Sequence, residues 1–248
     1  MSQIQSISVV IPAKNEADNI QPLVSEIFLY LSEAYDFEII YVDDGSTDDT
    51  AHKVMQLVNE FPNKIRLLQH KKSVGQSTAI YSGVANAKGG VIITLDADGQ
   101  NNPKDIPKLL KRAASFKHGS DYCITGFRKA RKDTAWKRLQ SRVANNVRAA
   151  LLKDDTPDTG CGLKVFPRAT FLKLPYFDHM HRYLPALIKR LGGSIEVVEV
   201  SHRDRQHGVS KYGMWGRLFA GLIDMLGVMW LQRRTKIPHI QEPKIDGQ

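Results

Sequence analysis

The sequence predicts an α/β fold in which a mostly parallel central sheet is flanked by helices. Two patterns carry this. Short apolar runs rich in Val and Ile alternate with stretches of helical apolar spacing through roughly the first hundred residues, as in strands joined by crossover helices. Those runs also stop abruptly at loops rich in carboxylates and amides, and the carboxyl ends of strands are where ligands sit in open α/β sheets. Bulk composition agrees. A chain of 248 residues, 42% hydrophobic and 25% charged, is enough for one large domain with an ample core.

The first strand covers 7–11 and is stopped by Pro12, so Pro12-Ala13-Lys14-Asn15-Glu16 is the loop that follows. Ile20, Leu23, Val24, Ile27 and Leu31 recur at helical spacing and predict a helix over 17–33. The second strand, 38–42, ends at Asp43-Asp44-Gly45-Ser46, with Ser46 or Thr47 as a natural N-cap for a helix through Val58. A third strand covers 65–68. Val74-Gly75-Gln76 then opens a helix whose stop is marked by Gly89 and Gly90. The fourth strand is 91–95, and beyond it a helix at 182–191 ends at Gly192-Gly193, before a strand at 195–200 that returns toward the site. No GxGxxG follows the first strand and no GxxxxGK[ST] occurs, which argues against a dinucleotide fold or a P-loop enzyme.

The fourth strand is the centre of the functional reading. It ends in Asp96-Ala97-Asp98-Gly99-Gln100, so two carboxylates emerge together with an amide beside them. Hard oxygen donors of this kind suit Mg²⁺ or Mn²⁺, and a divalent ion could grip a diphosphate. A lone Asp-x-Asp is ordinarily a solvated turn. Here Asn15/Glu16 and Asp43/Asp44 supply two more oxygen-rich loops at the same sheet edge, and three such loops make a site. Carboxylates there can accept from ribose hydroxyls and base N–H groups.

Net charge is +9, from 35 Lys+Arg against 26 Asp+Glu, which favours anionic partners: phosphorylated substrates, an anionic membrane surface or nucleic acid. The basic residues carry no series of aromatics for stacking bases, so nucleic acid is not expected. Cys123 and Cys161 form no CxxC, which suggests neither a disulfide framework nor a zinc site. The N-terminus has no signal-peptide pattern, and a reducing cytoplasm is the expected setting. His179 and His181 form an HxH, and His202 and His207 flank Arg205. Neither pair has a third ligand at useful spacing, so a histidine metal site is not expected.

In 214–230 large apolar residues recur at i, i+3/i+4 and i+7, with Arg217 and Asp224 seven apart on the opposite stripe. The run is too short and interrupted to span a bilayer. Trp215 and Trp230 with the following Arg233-Arg234-Thr235-Lys236 suit a helix lying in the membrane interface. The alternative is a helix packed on the protein's own core or on a second copy. The expected organisation is therefore a domain over 1–212, an amphipathic helix over 213–236 and a loose tail over 237–248.

Taken in order, Val9-Val-Ile-Pro-Ala-Lys-Asn-Glu16, Val42-Asp-Asp-Gly-Ser-Thr-Asp48 and Leu95-Asp-Ala-Asp-Gly-Gln100 resemble the successive motifs of inverting, family 2 nucleotide-sugar glycosyltransferases with a GT-A fold. Gly126-Phe-Arg128, Trp136 through Asn145, Asp158 through Arg168 and His202 through Tyr212 are similar to the dolichyl-phosphate mannose synthase branch. That branch includes bacterial enzymes loading sugars onto undecaprenyl phosphate. The resemblance covers roughly 6–215. It implies that Pro12, Ala13, Asn15, Glu16 and Asp43 line a nucleoside pocket and that Asp96 and Ala97 lie near ribose and diphosphate. Asp98 would hold Mg²⁺ or Mn²⁺ with help from Gln100, and Arg128, Ser141, Arg205 and Lys211 would address phosphates, with Asp98, Arg128 and Arg205 as the catalytic set. One departure is Lys137, which stands where close relatives carry Arg; a Lys lacks the bidentate fork.

The implied partners are a nucleotide-sugar donor such as GDP-mannose or a UDP-sugar, a polyprenyl-phosphate acceptor, the cytosolic face of a membrane, and a second copy of the chain. An ionised phosphate acceptor needs no general base, which fits a basic second half behind an acidic loop. Two alternatives stand beside this. One is a hydroxyl acceptor in glycan or polysaccharide synthesis, although no QxxRW-type motif appears; the other is nucleotide-sugar binding without catalysis.

Overall fold

Seven strands form one sheet in the order β3-β2-β1-β4-β6-β5-β7. They are β1 (Ile7–Ala13), β2 (Phe37–Asp43), β3 (Ile65–Gln69), β4 (Val91–Thr94), β5 (Tyr122–Phe127), β6 (Lys164–Pro167) and β7 (Ser194–Glu199). The computed structural model describes residues 6–128, 148–154, 156–203 and 214–236, with side chains of the last segment from 221 onward. Ser141, Arg205 and Lys211, along with Lys137, His207 and the tail from 237, lie outside the described residues, and so does the side chain of Arg217.

β1 pairs in parallel with both β2 and β4, and β2 with β3, so the chain moves outward from β1 on one side and then returns to its other side. β6 is antiparallel to both β4 and β5, and β5 and β7 are parallel. The mostly parallel sheet is thus as expected, with β6 as the reversed strand.

Along a two-sided strand successive side chains enter opposite layers. Val9 and Ile11 join a core formed with α1 (Ile20–Leu31), α2 (Thr50–Glu60) and α4 (Ile106–Ala113). Val10 joins the other, with α3 (Gln76–Ala85), α5 (Arg168–Leu172), α6 (Leu184–Arg190) and α7 (Met214–Arg234). Near-continuous Val/Ile runs in β1 and β2 are what burial on both faces requires.

Several boundaries differ from the sequence expectation. The stretch 17–33 is a 3-10 turn, Ala17–Asn19, followed by α1. α2 starts after Asp49, so neither Ser46 nor Thr47 caps it. Both instead hold the first loop: Asn15 N donates to Ser46 Oγ at 2.9 Å, and Thr47 N donates to Asn15 Oδ1 at 2.8 Å. α4, α5, β5 and β6 have four to eight residues each, too short for periodicity to mark.

Candidate active site

In a 3-2-1-4 strand order the crevice opens between strands 1 and 4, where the winding direction reverses. Val10 pairs with Thr94 at that point, which brings Pro12 and the Asp96 loop side by side at the carboxyl edge. A cavity of about 300 Å³ lies there, lined by Pro12, Gln76, Thr94 to Asp96, Thr159 to Gly162, Lys164 and His181 to Arg182, with Ile80 and Leu184.

The acidic loop is fixed from several sides. Gly99 takes a φ of 72°, which lets the chain turn back so that Gln100 N donates to Asp98 Oδ1 at 3.0 Å. Asp96 N donates to Asn101 Oδ1 at 3.1 Å, while Gln76 Nε2 donates to Asp96 Oδ1 at 2.8 Å. Burial and the neighbouring charge of Asp98 raise the Asp96 carboxyl to about 6, against opposing help from Lys164, Arg128 and Gln76. Beyond β7, Asn101 forms an isolated bridge with His202, and Arg203 N donates to Gln100 O at 3.2 Å. The Arg203 guanidinium ties Glu26, at 2.8 Å to each oxygen, and Asn102, at 2.6 Å. The strand returning to the site thus straps its acidic loop to α1.

The opposite wall is the segment 158–164. Thr94 Oγ1 donates to Gly162 O at 2.7 Å, and the buried Lys164 ammonium donates to the carbonyls of Thr159 and Cys161. Arg128 holds Asp158 with both prongs, Nε to Oδ2 at 2.7 Å and Nη2 to Oδ1 at 2.9 Å. Burial works against the guanidinium charge, but the bonds and charge of Asp158 raise its proton affinity further. Arg128 therefore reaches the site as a cation whose field bears on Asp96 while its donors hold Asp158.

The histidine pair separates. His179, in a left-handed conformation (φ 62°), places Nδ1 2.9 Å from Asp224 Oδ2 on α7, whereas His181 Nδ1 lies 2.7 Å from Ser77 Oγ at the cavity. Burial, aided by Arg182 and Lys164, pushes the His181 imidazole well below its ordinary range, which keeps it neutral.

Of the residues expected to bind the nucleotide, Pro12 lines the cavity, but the side chains of Ala13 in the nucleoside set and Ala97 in the diphosphate set are buried in the core and can offer only backbone. Asn15 and Glu16 brace the first loop against the second: Glu16 N donates to Thr50 Oγ1 at 2.9 Å. Asp43 Oδ1 accepts from Ser46 N at 3.0 Å. Asp44, expected only as part of the second oxygen-rich loop, is a hub: Ser73 Oγ at 2.7 Å and Val74 N and Gly75 N at 2.9 Å donate to it, and His70 Nδ1 lies at 2.8 Å. Burial would raise its carboxyl, and these bonds outweigh it and lower it. Gln76, Gly162, Lys164, His181, Arg182 and Arg203 were also missed as site residues. Their recruitment is long-range, and only the fixed spacing within 158–168 and 202–212 hinted at it.

A model of glycosyl transferase family 2 matches residues 8–174. The chain belongs to that family. Relatives similar to this glycosyltransferase include the dodecaprenyl-phosphate galacturonate synthase of Rhizobium johnstonii, 33% identical over 95% of this chain and 70% of that protein. The undecaprenyl-phosphate 4-deoxy-4-formamido-L-arabinose transferase of Edwardsiella ictaluri is 30% identical over 85% of this chain and 64% of its own length. The chain thus spans about two thirds of these relatives. Glucosyl-3-phosphoglycerate synthase from Mycobacterium tuberculosis, solved with Mn²⁺, uridine diphosphate and phosphoglyceric acid, shares the GT-A fold with a TM-score of 0.69. It is 21% identical and aligns over 95% of this chain and 80% of that one.

The donor set of the transferase fits a hard divalent cation. The charge of Asp98 disfavours ionisation of Asp96, a repulsion that a cation would relieve. Among the described residues no group of three or more His, Cys, Asp or Glu is placed to hold a metal. Two carboxylates and the Gln100 amide would leave positions for diphosphate oxygens and water, the usual mode for Mg²⁺ beside a nucleotide. Both cysteines are free and buried.

Proposed function

We propose that this chain is an inverting transferase moving a sugar from a nucleotide-diphospho-sugar to a polyprenyl phosphate at the cytosolic face of a membrane. The observation that carries the reading is the composition of the cavity: among the described residues that line it, one acidic side chain, Asp96, faces Lys164, Arg182 and a neutral His181. A hydroxyl acceptor needs a base. His181 is a poor one, since its imidazolium would form beside Arg182 and Lys164, and Asp96 lies on the donor side, accepting from Gln76. A phosphate acceptor arrives ionised and needs only alignment and neutralisation of charge. Its oxygen attacks the anomeric carbon as the bond to the donor's β-phosphate breaks, and the nucleoside diphosphate departs with the bonding pair. Attack from the opposite face makes a β-linked lipid from an α-linked donor.

In this reading Pro12, Ala13, Asn15, Glu16 and Asp43 shape the nucleoside end, the alanines through their backbone. Asp96 and Ala97 flank the diphosphate. Asp98 and Gln100 would hold Mn²⁺ or Mg²⁺, which when bound neutralises charge building on the leaving diphosphate. Arg128 contributes its field and holds the 158–162 wall; Arg205, Ser141 and Lys211 complete the phosphate contacts.

The test is a transfer assay with Mn²⁺, undecaprenyl phosphate and a panel of labelled UDP- and GDP-sugars, counting label extracted into organic solvent. The panel includes a UDP-hexuronic acid, because Arg182 and Lys164 line the cavity and one relative is a galacturonate synthase. Lipid-phase label with one donor fixes acceptor and donor together. Label nowhere, with nucleotide still bound, would overturn the reading in favour of a hydroxyl acceptor or a binding role. Asp98→Ala should abolish Mn²⁺-dependent nucleotide binding; retained metal dependence would remove Asp98 from the metal site.

A further inference from the structure

One groove and one helix face remain outside this chemistry, and they adjoin. Helix α7 packs inward through Met225 and Val228 and leaves Leu222, Ile223, Leu226 and Trp230 exposed at 48%, 57%, 63% and 59%. At 100° per residue those four fall within one arc of about 100°, a continuous apolar stripe. Asp224 lies on the side of the helix away from this stripe and there meets His179.

Beside the stripe is a groove of about 340 Å³ between the helical residues 148–152, the end of α6 and α7. Lys153, Lys189, Arg190 and Arg233 line it, Leu151 and Met229 give it an apolar wall, and the described residues that line it include no carboxylate. Arg233 lies on the same arc as the stripe, so groove and stripe share an edge. Among the described residues no helix is long and apolar enough to cross a membrane.

We infer that this surface docks on an anionic membrane, the groove taking the phosphate of an anionic phospholipid while the α7 stripe enters the acyl boundary. Charge complementarity selects this occupant: among the described residues four cations line a slot that opens beside an apolar strip, the pattern of an interfacial helix on anionic headgroups. The inference deepens the reading of a lipid-linked acceptor by fixing how the enzyme sits. α6 carries the groove at its carboxyl end and Leu184 of the cavity at its start, a separation of about 10 Å along seven residues. Tyr183 Oη donates to Gly221 O at 2.9 Å and Asp224 holds His179, so the docking helix is tied to the segment that lines the cavity.

The test needs neither donor nor acceptor, so its outcome is separable from that of the transfer assay. The purified chain is sedimented with phosphatidylcholine vesicles with and without phosphatidylglycerol, at low and high salt. Binding should be at least about tenfold stronger to the anionic vesicles and weaken with salt. The exposed pair Lys153→Glu/Arg233→Glu should remove that preference by about tenfold or more, and Leu226→Asp should weaken binding with an unchanged circular dichroism spectrum. Inorganic phosphate at millimolar concentration should not release the protein, which distinguishes a headgroup in a bilayer from the free anion. Equal binding to neutral vesicles, or no binding while light scattering shows a dimer that Leu226→Asp dissociates, would overturn the inference; the latter would make the face a contact between copies.

Discussion

Gly162 lies directly against Asp96: a β-carbon added to it would overlap the Asp96 carboxyl group and sit 2.7 Å from Asn101 Oδ1. The wall of the cavity and its acidic loop therefore meet with no room for a side chain. Closeness here has a function, because Gly162 O also accepts the Thr94 hydroxyl that ends β4.

Gly162→Ala should accordingly push Asp96 out of place. Crowding of this kind costs about 1–3 kcal/mol, visible as a lower urea midpoint. Mn²⁺-dependent nucleotide binding, followed by calorimetry, should fall by about tenfold or more even where the fold is kept. Unchanged binding would mean that Asp96 is not needed on the donor side.

Arg128 and Asp158 form a bidentate pair whose side chains are 9% and 8% exposed. Removing one partner strands a buried charge, so Asp158→Asn and Arg128→Met should each destabilise by about 3–5 kcal/mol. Arg128→Lys should rescue little, because an ammonium cannot make both bonds. Urea denaturation of the two single variants and of Arg128→Met/Asp158→Leu checks this: the double variant should be less damaged than the sum of the singles.

His181 gives the pH dependence a sign. Its folded-state proton affinity is depressed below the ordinary 6.5, so well above that pH it is uncharged whether folded or unfolded and contributes no slope. As pH falls below about 6.5 the unfolded chain takes up the proton first, and stability is lost progressively. Melting temperature should therefore drop from pH 7 toward pH 5, and His181→Gln should flatten that drop. A profile identical in both proteins would show that His181 becomes protonated in the native state without penalty.

Much of the site was legible because its chemistry sits at strand ends. Asp96, Asp98 and Gln100 follow an apolar run directly, and Asn15 and Asp43 follow two others, so local patterning alone places three oxygen-rich loops on one edge of a parallel sheet. Asp44 shows the limit. It is adjacent to Asp43 and chemically identical, yet it faces the 70–75 loop and buttresses it, a difference set by the turn through Gly45 at φ 65°. The α7 helix shows it again. Its sequence is compatible with packing on the core or with lying on a membrane, and the structure gives it one buried face and a second, exposed apolar face.

The sequence by itself determined the α/β class, the positions of β1 to β4 along the chain and the acidic loop, because strand and helix periodicities are local and the carboxyl ends follow from them. Only tertiary structure decided which residues close the site. Gln76, Gly162, Lys164, His181 and Arg203 are brought to it by β6, α3, the turn before α6 and the segment after β7, across separations that periodicity does not encode. The reason is physical: a half-buried carboxylate must be framed by donors and cations near it. Which chain segments supply them depends on how the layers pack.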